Sequence, residues 1–243
     1  ILYNISLKFK SFLKRKDKYK PTKKDLLYSS SIFLEDNDNY AVINKPAGIS
    51  VQSGTKSKKN ILDILKSTKE FNQKTPYSVH RIDKDTSGVL IVAKNREYAQ
   101  LFTSLFRIRK IYKTYLSIVI GQMDKSRGTF VDEIFHYEGS KKIKTKAITD
   151  YSVIDSNKNY SLLKLNPLTG RKHQLRKQLL IRGHPILGDS KYNFYNSKKN
   201  KKSYLMLHAY KINFSIKGIK YKYLAEPPSI FKDTLNKKYL KTY

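Results

Sequence analysis

Between His80 and Gly88 the chain sets two cations, Arg81 and Lys84, two carboxylates, Asp83 and Asp85, and two hydroxyls, Thr86 and Ser87, in one short turn. A carboxylate presented in this way can act as a nucleophile on an electrophilic carbon. It works only if something holds it still, and a polar, Gly-containing turn clamped to a rigid strand does that. The run Val89 to Ala93, bounded by Gly88 and Asn95, has the length and β-branching of such a strand. The same residues also suit a surface turn whose Asp and Thr side chains bond their own backbone, so the rest of the chain has to decide.

A second block with chemical potential runs from Leu168 to Gly183 and contains Arg171, His173, Gln174 and Arg176. Leu175 and Leu179, like Arg176 and Leu180, sit one helical turn apart, and Gly183 followed by Pro185 makes a helix stop. The expected helix has one apolar face and one face carrying Arg171, His173 and Arg176. A third block, Lys113-Thr114-Tyr115, opens a β-branched run that ends at Gly121.

The elements that must position these blocks follow from periodicity. Strands are expected at Ile32 to Leu34, Tyr40 to Asn44, Val89 to Ala93, the second half of Arg107 to Gly121, Thr129 to Phe135, Ala147 to Ile154, Tyr160 to Leu165, Leu205 to Phe214 and Lys220 to Leu224. Polar turns are expected at Glu138 to Lys142 and Asp155 to Asn159. Short helical spacing appears at Ile61, Leu62 and Leu65. Tyr98, Leu101, Phe102, Leu105 and Phe106 repeat at helical spacing, which predicts an amphipathic helix over 96–107 with a core-facing aromatic stripe. Pro227-Pro228 is expected to end the sheet, and the Lys/Asn/Ser run at 195–203 to form a flexible basic loop. Consecutive strands with inserted helices give one α+β domain over 31–243, with a mixed, largely antiparallel sheet. Residues 1–30, basic and punctuated by Pro21, read as a linker.

Composition narrows the partner. Fifty Lys and Arg against nineteen Asp and Glu give a formal net charge of +31, which points to a polyanion, most commonly nucleic acid. No cysteine is present, which excludes disulfides and thiolate chemistry, and none of the five histidines falls in a metal-ligand spacing. No stretch has the apolar length of a membrane span.

Taken together, the blocks resemble the RluA-type pseudouridine synthases, in that family's order, across roughly residues 31 to 230. They are Asn44-Lys45-Pro46-Ala47-Gly48, His80-Arg81-Ile82-Asp83 with Thr86-Ser87-Gly88, Lys113-Thr114-Tyr115, Lys146-Ala147-Ile148-Thr149, Thr169 to Arg176, Gly183 to Asp189, and Leu207-His208-Ala209. Departures are slight, such as Ile82 for a commoner Leu and Lys177 where Val is usual.

The resemblance implies a pseudouridine synthase fold with a central catalytic cleft, isomerising uridine to its C-glycoside in RNA without cofactor or metal. It makes Asp83, not Asp85, the catalytic carboxylate, with Tyr115 as the active-site tyrosine, its hydroxyl set where a proton must leave C5, and Arg176 as the catalytic basic partner. Arg81 is implied to help displace the target base, and His80, Lys113, Arg171, His173 and Gln174 to bind substrate. Arg176 beside Asp83 would favour the charged carboxylate. Attack at C6 of the base and attack at C1′ of the ribose both remain open. The likeness is greatest to the RluC branch, implying large-subunit ribosomal RNA as partner for a cytoplasmic, monomeric enzyme. A small RNA-binding module is expected to have preceded residue 1. A transfer-RNA synthase of the same family and a non-catalytic RNA-binding ribosome-assembly factor are the competing readings.

Overall fold

The structure, a computed structural model, describes residues 20–23, 31–53, 59–138, 141–194, 203–241 and 243. Apart from residues 20–23 the expected basic linker lies outside them, as does the expected basic loop apart from Ser203.

Among the described residues, ten strands form one sheet. In chain order they are β1 (Phe33–Asp36), β2 (Tyr40–Lys45), β3 (Tyr77–Ser78), β4 (Ser87–Ala93), β5 (Tyr112–Ile120), β6 (Arg127–Glu138), β7 (Lys141–Ser156), β8 (Tyr160–Pro167), β9 (Leu207–Ile216) and β10 (Ile219–Leu224). The main path is β1-β2-β4-β9-β5-β8-β7-β6, with β10 on β9 and β3 on β4. Every pairing is antiparallel except β4 with β9, where Ser87 faces His208 and Gly88 faces Ala209. The sheet is therefore mixed and largely antiparallel, with helices inserted between strands, and the fold is α+β.

Central position explains why β4 reads as an unbroken apolar run: all seven of its residues are buried. Close approach explains Gly88. Its φ is +113°, and a Cβ there would lie 2.2 Å from the Ala209 carbonyl oxygen. Gly88→Ala is expected to destabilise the fold by about 3 kcal/mol, through clash and left-handed strain together, measurable as a lower urea midpoint. An unchanged midpoint would contradict this packing.

Among the described residues, four helices accompany the sheet: α1 (Ile61–Lys66), α2 (Arg96–Arg107), α3 (Gln174–Ile181) and α4 (Ser229–Lys237). α1 starts at Asn60, whose side chain accepts from the Asp63 amide at 3.0 Å. α2 starts in the same way at Asn95, which accepts from the Tyr98 amide at 2.9 Å. In α2 the aromatic stripe divides its work. Phe102 is fully buried between Tyr40 and Phe214, each 5.2 Å away. Phe106 instead stacks on His80 at 4.4 Å.

α2 ends in a left-handed residue. Arg109 has φ +58°, its amide donates to Phe106 O and that of Lys110 to Leu105 O. This two-bond closure ordinarily has Gly at its left-handed position, and a residue with a Cβ costs about 1 kcal/mol there.

Three expectations need correction. β6 and β7 are longer than the apolar pattern indicates, because their outer halves form a ribbon exposed at alternate positions, as over Lys141–Lys146. The Pro227-Pro228 pair ends the sheet but also starts a helix that periodicity missed, since α4 buries only Phe231 and Leu235. α3 begins at Gln174, so Arg171 and His173 lie on the turn before the helix and only Arg176 rides on it.

Candidate active site

A cleft of about 830 Å³ opens where the β3–β4 turn, the α2–β5 junction and the β8–α3 turn converge. Asp83, Tyr115, Arg176, Arg81, His80, Lys113, Arg171, His173 and Gln174 all line it. Three separate sequence blocks thus meet at one place, although they do not all face it with free polar groups.

The turn carrying Asp83 is held from below. Lys45, completely buried, donates from Nζ to the carbonyls of Pro46 at 2.7 Å, Ile49 at 2.9 Å and Lys84 at 3.2 Å. The Gly48 amide adds a 2.8 Å bond to the same Lys84 carbonyl. Burial pushes the Lys45 ammonium down to about 7, partly offset by Asp85 and Asp83. The Asn44 to Gly48 block therefore fastens the loop between β2 and α1 to the backbone between the two aspartates. Asp85 is exposed, whereas Thr86 and Ser87 are buried. The Thr86 amide closes the turn on Asp83 O at 3.2 Å.

Around the Asp83 carboxylate, Arg176 Nη1 stands 3.5 Å from Oδ2 and His173 Nε2 3.7 Å from Oδ1. Asp83 keeps partial exposure to the cleft, with 23% of its side-chain surface open. Both contacts are loose, and the tight partner of Arg176 is a different residue. Asp189, buried, receives Arg176 Nε and Nη2 at 2.7 Å each, together with the amides of Lys191 and Tyr192. Burial opposes the charge of Arg176, but the Asp189 hydrogen bonds and attraction, then those of Asp83, outweigh it and raise its affinity for the proton. Asp189 acts through Arg176, as a positioning residue. The sequence offered a signal, because Asp189 closes the Gly183 to Asp189 block, but nothing in the spacing tied it to Arg176.

His173 is held by Tyr192, whose hydroxyl is 2.9 Å from Nδ1. Burial lowers its basicity, with Asp83 opposing and Arg176 and nearby lysines assisting, so the neutral ring is favoured. A Tyr192 hydroxyl donating to Nδ1 leaves the Nε2 hydrogen facing Asp83, the arrangement a carboxylate favours.

Tyr115 presents its ring to the cleft from β5, beside a bulge at Thr114/Tyr115. Burial, then the Asp83 charge, pushes its phenol well above its ordinary value. Both effects favour the neutral phenol beside a charged Asp83.

Two residues expected to bind substrate have other occupations. His80 accepts the Ile91 amide at Nε2, 2.8 Å away, and lies against Phe106. Burial, with Lys113 assisting, pushes it down to about 3, so it stays neutral. Gln174 spends its amide inside the protein. Its Oε1 accepts from Thr169 Oγ1 and the Arg171 amide, and its Nε2 donates to Ile148 O and Thr149 Oγ1. Both residues line the cleft; the Gln174 amide and His80 Nε2 are bonded within the protein, and the His80 Nδ1 hydrogen is left for another partner. Arg81 and Arg171 remain exposed.

Behind the cleft, His208 locks β9 to β4. Its Nε2 donates to Ala225 O at 2.8 Å, which fixes Nδ1 as acceptor from Ser87 Oγ, also 2.8 Å away. Burial pushes it down to about 4. The unfolded chain takes up a proton near 6.5 that folded His208 refuses until about 4. Its contribution to stability is therefore complete above pH 6.5 and lost as pH falls toward 4, by about 1.4 kcal/mol per unit at most. Urea titrations between pH 7 and 5 should show this fall, and His208→Asn should reduce it, leaving the share of His80, whose proton affinity burial lowers in the same way. An equal slope in that variant would contradict the assignment.

Fold and site thus define a mixed-sheet protein with a carboxylate-centred, cation-lined cleft of nucleotide size. The chain belongs to the RNA pseudouridylate synthase family, whose model matches residues 39–180. Among curated relatives, it is 37% identical over 217 residues to the ribosomal large subunit pseudouridine synthase D of Borreliella burgdorferi, covering 83% of this chain and 66% of that protein. It is 33% identical over 204 residues to the tRNA pseudouridine synthase C of Haemophilus ducreyi, covering 75% and 84%. The chain spans about two thirds of the length of the large-subunit relatives it matches. Among solved structures, human RNA pseudouridylate synthase domain containing 4 superposes with a TM-score of 0.78 at 26% identity, covering 90% of this chain and 98% of the other.

Proposed function

We propose that residues 31–243 form the catalytic domain of an RNA pseudouridine synthase, with large-subunit ribosomal RNA as substrate. The observation that carries the reading is a partly exposed Asp83, set on a buttressed turn and flanked by Arg176 and His173 in a cation-lined cleft. In the reaction the bond from C1′ to N1 breaks and a bond from C1′ to C5 forms. The proton lost at C5 is balanced by one gained at N1, so no oxidant or reductant is consumed. Asp83 supplies the nucleophile, at C1′ or at C6, and Arg176 and His173 orient it. Tyr115 gives the detached base a face to stack on. The proton leaving C5 passes by way of the Tyr115 hydroxyl to the Asp83 carboxylate, freed once its bond to substrate is broken.

A uridine inside folded RNA reaches this carboxylate only by leaving its stack, at a cost of a few kcal/mol. Arg81, exposed and lining the cleft two residues before Asp83, would fill the vacated space, and the excess of positive charge offsets the cost through phosphate contacts.

Incubating the protein with unmodified large-subunit ribosomal RNA and transfer RNA transcripts, then mapping pseudouridine, tests the reading. Product in the ribosomal transcript is the expected result. Product confined to transfer RNA would favour the second reading, supported by the Haemophilus ducreyi relative. Binding without product in either would leave a non-catalytic RNA-binding factor.

A further inference from the structure

One wall of the cleft is built against local preference. Arg109 sits at the left-handed position that closes α2, with φ +58°, where a glycine would relieve the backbone. A rule of local structure broken at a cleft wall directs attention to the side chain that the strain retains. Arg109 is exposed and lines the cleft.

The neighbouring cation is equally out of place. Lys113, the second residue of β5, is only partly exposed, and its ammonium reaches the turn after the neighbouring strand β8, 3.9 Å from where a Cβ of Gly170 would stand. Among the described residues no carboxylate is paired with it, and the charge that acts on it most is that of Arg109. Burial, then Arg109, pushes Lys113 down to about 8. Two cations facing one space without a counter-ion repel each other until an anion enters, and a cluster of this kind is a seat for one.

We propose that Arg109 and Lys113, flanked by the Gly170 turn after β8, form a subsite for an RNA phosphodiester next to the nucleotide held at Asp83. The subsite rests on the reading of the cleft as an RNA site, and it adds a residue, Arg109, that no sequence block singled out. It sits on the α2–β5 side of the cleft. Binding there would hold the backbone while the base is turned toward Asp83 and Tyr115.

Arg109→Gly separates this role from a structural one, because it keeps the left-handed turn and removes only the side chain. In the full chain, binding of a short uridine-containing RNA oligonucleotide is measured by fluorescence anisotropy over a range of salt. The variant is expected to bind about 10-fold more weakly at low salt and to lose about one unit from the slope of log affinity against log salt. Its thermal midpoint should rise by about 2–4 °C. An unchanged affinity, or a weaker affinity with an unchanged slope, would overturn the phosphate contact. A lower midpoint would show that Arg109 is there to support the fold. A wild-type chain that forms no pseudouridine, with a variant that still loses the slope, would sink the proposed reaction while sparing this subsite.

Discussion

Asp83→Asn is expected to lower pseudouridine formation by at least about 1,000-fold, with little loss of stability or RNA affinity. Removing a nucleophile leaves only binding and orientation, and losses of that order or larger follow in enzymes of other classes. The amide is close in size to the carboxylate, and the two contacts it gives up, at 3.5 and 3.7 Å, are long. Arg176 keeps its fork to Asp189, so no buried cation is stranded. The thermal midpoint should therefore stay within a few degrees, since surface-like changes usually remain within about 0.5 kcal/mol. Single-turnover assays beside calorimetry and anisotropy check this. Loss of product together with loss of folding would locate the fault in the scaffold.

Asp189→Ala has the second-largest expected effect, and it combines stability with activity. Asp189 is wholly inside, and four hydrogen bonds converge on it. Its removal leaves the Arg176 guanidinium buried with only the looser Asp83 contact, and two backbone amides lose their acceptor. Breaking a buried pair on one side costs about 3–5 kcal/mol. The freed Arg176 would also swing onto Asp83 and occupy the nucleophile, so turnover should fall about 100-fold in whatever fraction stays folded. Asp189→Asn, which keeps the shape and part of the bonding, should recover most of the stability and less of the turnover. A variant as active as the wild type would remove Asp189 from the positioning of Arg176.

What could be read in advance followed the physics of each signal. β4 was legible because burial on both faces writes an uninterrupted Val89 to Ala93 run, and α2 because its aromatic stripe recurs at helical spacing. The outer halves of β6 and β7 were not, since a two-stranded ribbon exposed on alternate positions carries little apolar periodicity. α4 hid behind two prolines for the same reason, with only Phe231 and Leu235 buried.

In the site, the blocks announced Asp83, Tyr115 and Arg176, and the fold lines one cleft with all three. The division of labour was illegible. Arg176 is held chiefly by Asp189, thirteen residues on, and Gln174 by Thr169 and Thr149. Partners such as Lys45 and the Lys84 carbonyl are 39 residues apart, a separation no local pattern encodes. Arg109 escaped because its distinguishing feature is a backbone angle.

The central claim is that Asp83 drives exchange of the sugar from N1 to C5, and the fate of the C5 hydrogen tests it most directly. RNA carrying tritium at C5 of uridine should release label to water in step with pseudouridine formed, in the presence of the wild-type chain. Asp83→Asn should bind the same RNA and release none. Equal release by both proteins would contradict the account.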